Sequence, residues 1–515
     1  MRRLTLTAAV AAAAAVALAL SGCGSNTPRG EGDAAPAVVK WGVAALNTNW
    51  DPIVTGATGA TTTMTPIYES LITRGEDGKL HPALATSWEY NDEGTAVTFT
   101  LREGLTFHDD SPVDAEAVKY FIERAKTQEN SALAGSYENI DTVEVIDDLT
   151  FVVHLKTVDY QLPYLLSNRA GLITSKVAAQ KDPQALNTSL PVGAGPFKVV
   201  SLVPEDKIVL EKNPDYWDAD EIHIDRIEID GGNDPSTLVS SLQTGVYNFA
   251  TITPALIEQA ETAGFDVIRD PKTNWVISFL SLNLNKEPFT DPRVVEAVRY
   301  AIDRDEIVKK GYLGYADAVN QVFPEGHLGY DPSLEDEYAY DPAKAKQLLK
   351  DAGYEPGDLS LTLYPFTASD PNAEIIQSQL GAVGITVDIE IDPNWAKGYF
   401  GKEYALALYG YVGRDSYVQA LTEHFSDGGV LNLSSPYTSP EFAEALAKVR
   451  ATPTDDTEAY GEALTQAAAA GYRNGSTVAL ATGTYIWAKD PSISDSDEHI
   501  EGRLGWKGVR ITSDD

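Results

Sequence analysis

Residues 68–120 read YESLITRGEDGKLHPALATSWEYNDEGTAVTFTLREGLTFHDDSPVDAEAVKY, and they carry the strongest fold signal in the chain. Apolar and polar side chains alternate over residues 95–101, which predicts a half-buried β-strand. The turn residues 91–94 precede it and predict a hairpin with residues 88–90. Asp114 then opens a predicted helix, because apolar residues recur behind it at i, i+3, i+4 and i+7.

Strand and helix signals alternate along the rest of the chain, which indicates an α/β protein. Asp291-Pro292 and Asp341-Pro342 each place an N-cap and a first-turn proline before an apolar repeat, so each predicts a helix start. Residues 477–487 read as one long strand near the end. Other predicted strands cover residues 38–45, 142–146, 150–155, 197–202, 208–211, 222–230, 384–391 and 404–411, and other predicted helices cover residues 442–449 and 457–472.

The first residues predict an export signal. Arg2 and Arg3 precede an uncharged apolar run over residues 4–20, and small residues then lead to Cys23. This order is typical of a secretory signal peptide, here residues 1–22. A run of about 17 residues is marginal for a bilayer core of roughly 30 Å, so a cleaved signal is favoured over a permanent span. Residues 23–37 lack apolar periodicity and predict a tether.

Cys23 is the only cysteine of the chain, which excludes an internal disulfide and a multi-cysteine metal site. The sequence Leu20-Ser21-Gly22-Cys23 resembles the lipobox of bacterial lipoproteins, and this resemblance implies acylation of Cys23. Each buried CH₂ contributes about 0.8 kcal/mol, so two or more acyl chains anchor a protein stably. The alternative is a plain secretory signal with an incidental cysteine.

Charge and motifs argue against several classes of function. With 76 acidic residues against 39 basic ones, the chain disfavours nucleic acid and anionic lipid headgroups as partners. It contains no Gly-x-Ser-x-Gly, Ser-x-x-Lys, His-Glu-x-x-His or P-loop motif, and its seven histidines are scattered singly. We therefore expect no enzyme, no cofactor and no metal site. A secreted hydrolase stays open as an alternative, because a pair of catalytic carboxylates cannot be recognised among so many acids.

Aromatic residues crowd one region of the second half. The segment 409–415 combines rings, glycines and two opposite charges at the end of a predicted strand, where α/β proteins hold their ligands. Apolar walls with a few polar groups suit a small molecule. Half of this crowding is expected for the core of a sheet, so binding and packing are equally good interpretations.

Four segments together resemble the family 5 extracellular solute-binding proteins, the dipeptide, oligopeptide and nickel class of ABC importers. They are YESLITRGEDGKLHPALATSWEY…FHDD within residues 68–120, GAGPFKVV with NPDYWD within residues 193–218, FTDPRVVEAVRYAIDRDEI at 289–307 and YDPAKAKQLLKDAGY at 340–354. The family has a glycine where Asp110 stands. Aspartate tolerates left-handed backbone, so the turn is expected to survive.

The resemblance implies an α/β fold of the class II periplasmic-binding-protein type, with two hinged lobes and an additional domain. Lobe I would combine residues 38–66, 192–272 and 481–515, and the additional domain would span 67–191. Lobe II would span 273–480, and the strand at 477–487 would form a hinge crossing. Nearly 480 residues after the tether are too many for one hydrophobic core, which agrees with several domains.

Ligand contacts are expected from both lobes, because closure must favour the bound state. Peptide binders of the family hold the peptide amine with an aspartate near a Gly-Trp pair. Here Tyr411 stands in place of the Trp, and Arg414 falls where that aspartate is expected, next to Asp415. Either Asp415 binds an amine or Arg414 binds an anionic group. The candidate ligand-binding residues are Asn47, Asn49, Trp50, Trp395, Tyr409, Tyr411, Arg414, Asp415, Asn432 and Tyr485.

The expected function is that of a lipid-anchored receptor at the extracytoplasmic face of a membrane, on the cell surface or in a periplasm. It would capture a peptide or peptide-like solute as a monomer and deliver it to an ABC permease and its ATPase. The alternatives are a sensing lipoprotein and a receptor for an opine, an oligosaccharide or a chelated metal. The sequence does not separate these ligands.

Overall fold

The structure is a computed structural model that describes residues 36–55, 59–75, 79–182, 191–269, 275–368, 370–412, 416–495, 499–500 and 503–512. Cys23, the predicted signal peptide and nearly all of the predicted tether lie outside the described residues. Arg414 and Asp415 lie outside them as well. Among the described residues, no helix is both long enough and apolar enough to cross a bilayer.

Twenty-one strands form the sheets of the described chain. In chain order they are β1 Val38–Gly42, β2 Ile72–Arg74, β3 Leu80–Pro82, β4 Ala85–Tyr90, β5 Ala96–Leu101, β6 Ile140–Val145, β7 Thr150–Leu155, β8 Phe197–Val203, β9 Lys207–Lys212, β10 Arg226–Asp230, β11 Phe249–Ile252, β12 Asp266–Ile268, β13 Trp275–Leu282, β14 Asp317–Ala318, β15 Leu359–Pro365, β16 Ile385–Ile389, β17 Leu406–Val412, β18 Thr477–Thr484, β19 Ile486–Lys489, β20 His499–Ile500 and β21 Arg503–Leu504.

The helices begin mostly at polar caps. The α-helices are Gly59–Met64, Ala115–Thr127, Leu162–Leu165, Lys176–Lys181, Leu238–Gln243, Ile257–Thr262, Pro292–Ala301, Arg304–Gly311, Ser333–Glu337, Pro342–Asp351, Pro371–Ala382, Trp395–Phe400, Tyr417–Phe425, Pro440–Arg450 and Thr457–Asn474, and the short 3₁₀ helices are Arg169–Gly171, Ala219–Glu221, Pro235–Thr237 and Pro254–Leu256. The predicted Asp-Pro starts are confirmed, because the side chains of Asp291 and Asp341 accept hydrogen bonds from the first turns of their helices.

Two mixed sheets carry most of the fold. One has seven strands in the order β12-β19-β11-β1-β10-β9-β8, and the other has six strands in the order β14-β18-β13-β17-β15-β16. A separate four-stranded antiparallel sheet, β4-β5-β7-β6, packs with the helix Ala115–Thr127. Each sheet has its own hydrophobic core. The predicted two-lobed α/β fold with an additional domain is confirmed, while the exact domain boundaries stay a prediction.

The chain passes between the two large sheets at two places. After β12 of the seven-stranded sheet it continues through residues 270–274, outside the described part, to β13 of the six-stranded sheet. It returns when β18 ends at Thr484 and β19 begins at Ile486. The prediction of one strand over 477–487 is wrong in this respect, because the segment changes sheets at Tyr485. Alternation along the chain reports burial and does not report which strand is the hydrogen-bonding partner.

Candidate functional site

In both large sheets, the carboxyl ends of parallel strands lie on the side next to the two crossings. In the six-stranded sheet, Val276 pairs with Val412 and Trp275 pairs with Thr484, so β13 begins where β17 and β18 end. The strand β15 runs parallel to β17, and it ends on the same side. Ligands in α/β proteins bind outside such carboxyl ends. This side of the sheet is therefore one wall of the candidate site.

The seven-stranded sheet presents the matching wall. Its strands β1, β10 and β11 run parallel, and Ile252 at the end of β11 pairs with Ile486 at the start of β19. The loop that follows β1 contains Asn47 and Asn49 and so leaves the sheet on the side of the crossing. The topology thus places Asn47, Asn49, Tyr411 and Tyr485 near sheet ends that the same two crossings connect, whereas Tyr409 lies in the middle of β17.

An aromatic cluster of Phe366, Trp395, Tyr399 and Tyr409 lines the wall of the six-stranded sheet. The ring of Trp395 lies 4.7 Å from that of Tyr409, 4.6 Å from that of Tyr399 and 5.0 Å from that of Phe366. Its indole Nε1 donates to the carbonyl of Tyr364 over 3.0 Å. The structure therefore brings two predicted residues, Trp395 and Tyr409, into one cluster.

The cluster is anchored on its inner side and open on its outer side. Tyr399 is fully buried, its hydroxyl donates to the Leu431 carbonyl over 2.9 Å, and burial raises its pKa far above the ordinary value for a phenol. Trp395 is only 4% exposed and belongs to the inner side, whereas Tyr409 is half-buried and Phe366 is 52% exposed. A rigid apolar surface with a solvent-facing edge is a suitable platform for a small ligand.

Tyr411 faces the core on the same side of β17 as Tyr409. Its ring lies 4.5 Å from the ring of His424 and 6.1 Å from that of Phe279, and its hydroxyl donates to the Val322 carbonyl over 3.4 Å. The side chain is only 2% exposed. Its contacts are those of a packing residue, and a ligand has little of its surface to reach.

Asn432 holds a turn together. Its Nδ2 donates to the carbonyls of Ser426 and Tyr437 over 2.9 and 2.8 Å, and its Oδ1 accepts from the backbone N–H of Ser434 over 3.0 Å. The hydroxyl of Ser476 donates to the same oxygen over 3.3 Å. This side chain is buried, and its donors and acceptors are engaged within the protein.

The three predicted residues of the first half have different surroundings. Asn47 is half-buried and donates from Nδ2 to the Thr63 hydroxyl over 2.9 Å, and the Oδ1 of Asn49 accepts from the backbone N–H of Asp51 over 2.9 Å. Trp50 is buried in the core of the seven-stranded sheet, where its carbonyl accepts from the hydroxyl of Tyr68. The two asparagines keep part of their surface, and the tryptophan does not.

Tyr485 is the one residue between β18 and β19. It is half-buried, and its ring stacks on that of Trp487 with centroids 5.9 Å apart and an interplanar angle of 23°. Its position at the crossing agrees with the expected place beside a hinge. The loop of Arg414 and Asp415 is outside the described residues, and Ser416, which follows it, caps the helix Tyr417–Phe425.

Two features of this region were not predicted from the sequence. Phe366 follows the carboxyl end of β15 and could have been found by the argument that singled out Tyr411. The second feature is the buried ion pair between Asp51 and Arg124, in which Nη2 lies 2.5 Å from both carboxylate oxygens. Burial raises the pKa of Asp51, while Arg124 acts in the opposite direction. The pair joins the loop after β1 to the helix Ala115–Thr127.

In the described part of the chain, no group of three or more His, Cys, Asp or Glu side chains is placed to hold a metal ion. The two sheets, the crossings and the partly apolar walls define a class of protein: a two-lobed receptor that binds a solute between its lobes.

The chain belongs to the bacterial extracellular solute-binding proteins, family 5, whose profile it matches over residues 79–432. Members of this family are extracytoplasmic solute-binding proteins of ABC importers and are not enzymes, as the sequence predicted. Membership of the family therefore implies two kinds of partner, a peptide or small-molecule ligand and an ABC permease with its ATPase.

Among curated relatives, the glutathione-binding protein GsiB of Salmonella paratyphi A is 31% identical over 350 residues, which cover 66% of this chain and 67% of the relative. The glutathione-binding protein GsiB of Pectobacterium atrosepticum is 31% identical over 355 residues, 66% of each chain. Each of these alignments spans about two thirds of both chains.

Among solved structures, the periplasmic binding protein DppA of Helicobacter pylori in complex with the peptide STSA superposes with a TM-score of 0.82. It is 25% identical, and the match covers 92% of this chain and 98% of that one. The protein AgaA of A. tumefaciens R10 in complex with agropinic acid has the same TM-score of 0.82 at 24% identity and covers 93% of this chain and 99% of its own. This second likeness concerns the fold.

Proposed function

We propose that this protein is the lipid-anchored receptor of an importer for a peptide or peptide-like solute. The proposal is carried by two observations: Asn47 and Asn49 lie in the loop after β1 beside the two crossings, and the aromatic cluster keeps solvent-facing surface at Tyr409 and Phe366. The glutathione-binding relatives and the peptide-bound structure of DppA support a peptide-like ligand. Closure of the lobes would bury that ligand and present one conformation to the permease.

Ligand binding in this cleft is tested with the mature protein and a panel of di-, tri- and tetrapeptides that includes glutathione. We expect a peptide to raise the midpoint of thermal unfolding and to reduce the radius of gyration in X-ray scattering, because binding couples to closure. Phe366→Ala and Tyr409→Ala should weaken that ligand by about tenfold or more, since an aromatic anchor contributes about 1–2 kcal/mol or more.

Tyr340→Ala is the matched control, because Tyr340 is an exposed tyrosine that precedes the helix Pro342–Asp351 and is not a member of the aromatic cluster. It should leave the affinity unchanged. The proposal fails if no peptide of the panel shifts the unfolding midpoint, or if both cluster variants bind as tightly as the native protein.

The role of the 414–415 pair is tested with blocked peptides. If Asp415 holds the ligand amine, acetylation of the peptide N-terminus and Asp415→Asn should each weaken binding, and the two effects should not add. If Arg414 holds the ligand carboxylate, amidation of the peptide C-terminus and Arg414→Gln should each weaken binding, and these two effects should not add. Full affinity in both variants would remove the pair from the site.

Lipid anchoring is tested at Cys23. We propose that this residue is acylated, because it is the only cysteine and follows the lipobox-like Leu20-Ser21-Gly22. Metabolic labelling with a fatty acid should mark the native protein and leave Cys23→Ser unlabelled, and the variant should move from the membrane fraction to the soluble fraction. Labelling that persists in Cys23→Ser would contradict the assignment. We also propose a monomer, which light scattering of the mature protein tests directly.

A further inference from the structure

The four-stranded sheet and its helices form a domain (the four-stranded domain) that is inserted between β1 and β8 of the seven-stranded sheet. Buried polar contacts fix this domain to the seven-stranded half of the molecule. One is the ion pair of Arg124 with Asp51. Another is the hydrogen bond from Arg169 Nη1 to the carbonyl of Thr55 over 2.7 Å. Because a buried charge that loses its partner is costly, we expect the four-stranded domain and the seven-stranded half to move as one body.

Residues 159–161 reach from the four-stranded domain to the helices of the six-stranded half. Tyr160 donates its backbone N–H to the carbonyl of Arg450 over 3.0 Å. Arg450 ends the helix Pro440–Arg450, and the last carbonyls of a helix have no partner inside it, so a residue of another domain satisfies one of them. The Nε of Arg450 also lies 3.9 Å from the carboxylate of Asp159. The end of this helix is therefore bound to the four-stranded domain.

Gln161 adds a buried side-chain contact with two further helices. Its Oε1 accepts from the hydroxyl of Tyr460 over 2.8 Å and from that of Ser416 over 3.4 Å. Tyr460 lies in the first turn of the helix Thr457–Asn474, and Ser416 caps the helix Tyr417–Phe425. Gln161 and Tyr460 are both buried, so separation of the two would break a hydrogen bond that is shielded from water.

The segment 159–161 is held in one conformation by its own domain. The hydroxyl of Tyr90 donates to the carbonyl of Asp159 over 2.9 Å, and the rings of Tyr90 and Tyr160 lie 4.8 Å apart. The carboxylate of Asp159 accepts from the backbone N–H of Gln161 over 2.9 Å and from Asn139 Nδ2 over 3.3 Å. A segment that is already ordered loses little conformational freedom when it docks, so its contacts stabilise the docked state efficiently.

We propose that residues 159–161 are a latch that holds the four-stranded domain, and with it the seven-stranded half, against the helices of the six-stranded half. The chain passes between the two halves at the two crossings and not here, so these contacts can form and break as the lobes move. They join protein atoms alone and therefore favour closed lobes before a ligand enters. The latch rests on the two-lobed fold, and its effect on ligand affinity rests on the proposed function.

Hydrogen exchange at the backbone N–H of Tyr160 tests the latch in the mature protein without ligand. We expect this amide to exchange more slowly than an unprotected one, because its hydrogen bond must open first. Tyr460→Phe removes the hydroxyl that bonds to Gln161 and should reduce the protection of Tyr160 by about fivefold, the effect of one hydrogen bond. The N–H of Leu155, which is bonded within the four-stranded domain, should keep its exchange rate.

Gln161→Met removes the acceptor of the same hydrogen bond and keeps the length of the side chain, so it should act like Tyr460→Phe and decides the matter if that variant does not fold. The radius of gyration in X-ray scattering should increase in both variants, because the lobes open more often. Tyr300→Phe is the matched control. It loses a hydroxyl that donates to the Glu337 carbonyl over 3.0 Å within the six-stranded half, and it should leave both measurements unchanged.

Three results would overturn the latch: an unprotected Tyr160 amide in the native protein, native protection in both latch variants, or an unchanged radius of gyration in both, which would reduce the contact to local packing. These measurements need no ligand, so failure of the peptide panel with a working latch would contradict the proposed function alone. Where peptides of the panel bind, Tyr460→Phe should weaken all of them by one common factor of about fivefold, because it acts on closure and not on a ligand contact.

Discussion

Asp110 adopts left-handed backbone with φ of 63°, in the turn where the Phe107 N–H donates to the Ser111 carbonyl. The resemblance to the family implies a glycine at this position. The prediction that aspartate would allow the turn to form is confirmed. A short polar side chain lowers the cost of this conformation, whereas a β-branched residue has no such compensation.

Substitution at Asp110 should follow this backbone preference. Asp110→Gly should change the free energy of unfolding by less than about 1 kcal/mol, because the lost steric strain and the gained chain entropy oppose each other. Asp110→Val should destabilise by about 1–2 kcal/mol. Urea unfolding measures both. Asp92→Val in another exposed turn is the control, and an equal loss there would show that left-handed backbone is not the cause.

His108, two residues earlier, makes the protein sensitive to acid. Its Nε2 lies 3.0 Å from the Gly195 carbonyl, and burial lowers its pKa from 6.5 to about 4. The unfolded chain therefore takes up the proton first as pH falls. The contribution of this group to the free energy of unfolding is fully present above pH 6.5. It is lost progressively as the pH falls from 6.5 to about 4. The total loss is about 3 kcal/mol, at about 1.36 kcal/mol per pKa unit.

His108→Gln should remove this part of the pH dependence, so its unfolding free energy should fall less steeply than that of the native protein between pH 6.5 and 4. Equal slopes in the native protein and His108→Gln would contradict a buried neutral imidazole.

At the scale of elements, helix starts are the best-specified features. Asp456 caps Thr457–Asn474, the longest described helix, by accepting from the Ala459 N–H over 3.2 Å. Helix starts depend on a cap and on residues within one turn, so local sequence suffices to predict them. Strand partners depend on residues far away, which is why residues 477–487 were assigned to one strand although they belong to two sheets.

Removal of the Asp456 cap should cost about 1 kcal/mol in Asp456→Ala, because the first-turn N–H groups lose their acceptor. Asp456→Asn should retain most of the stability, since the amide oxygen still accepts. The neighbouring Asp455→Ala is the matched control for the loss of a surface charge. Chemical unfolding of the four proteins provides the comparison, and a loss in Asp455→Ala as large as in Asp456→Ala would exclude the cap as the cause.

At the scale of the whole molecule, Asp51 and Arg124 connect the core of the seven-stranded sheet's half to the four-stranded domain. Both side chains are largely removed from solvent, and the pair forms a charged contact between the β1 loop and the helix Ala115–Thr127. A buried charge that loses its partner is strongly destabilising, whereas removal of both charges costs much less.

Arg124→Met should therefore destabilise by about 3–5 kcal/mol, and Asp51→Asn combined with Arg124→Met should lose less than Arg124→Met alone. Thermal and urea unfolding of the single and double variants measures the coupling. Additive losses would mean that the two charges do not depend on each other.

The sequence by itself determined the α/β class, the helix starts and the family, because local periodicity, caps and ordered motifs lie in the order of the residues. Only the tertiary structure decided which rings and amides are available to a ligand. Trp50, Trp395, Tyr411 and Asn432 became interior groups, while Tyr409 and Phe366 kept solvent-facing surface. The reason is physical: the burial of a side chain depends on partners such as Phe279 and His424, which pairing of distant strands and helices brings to it.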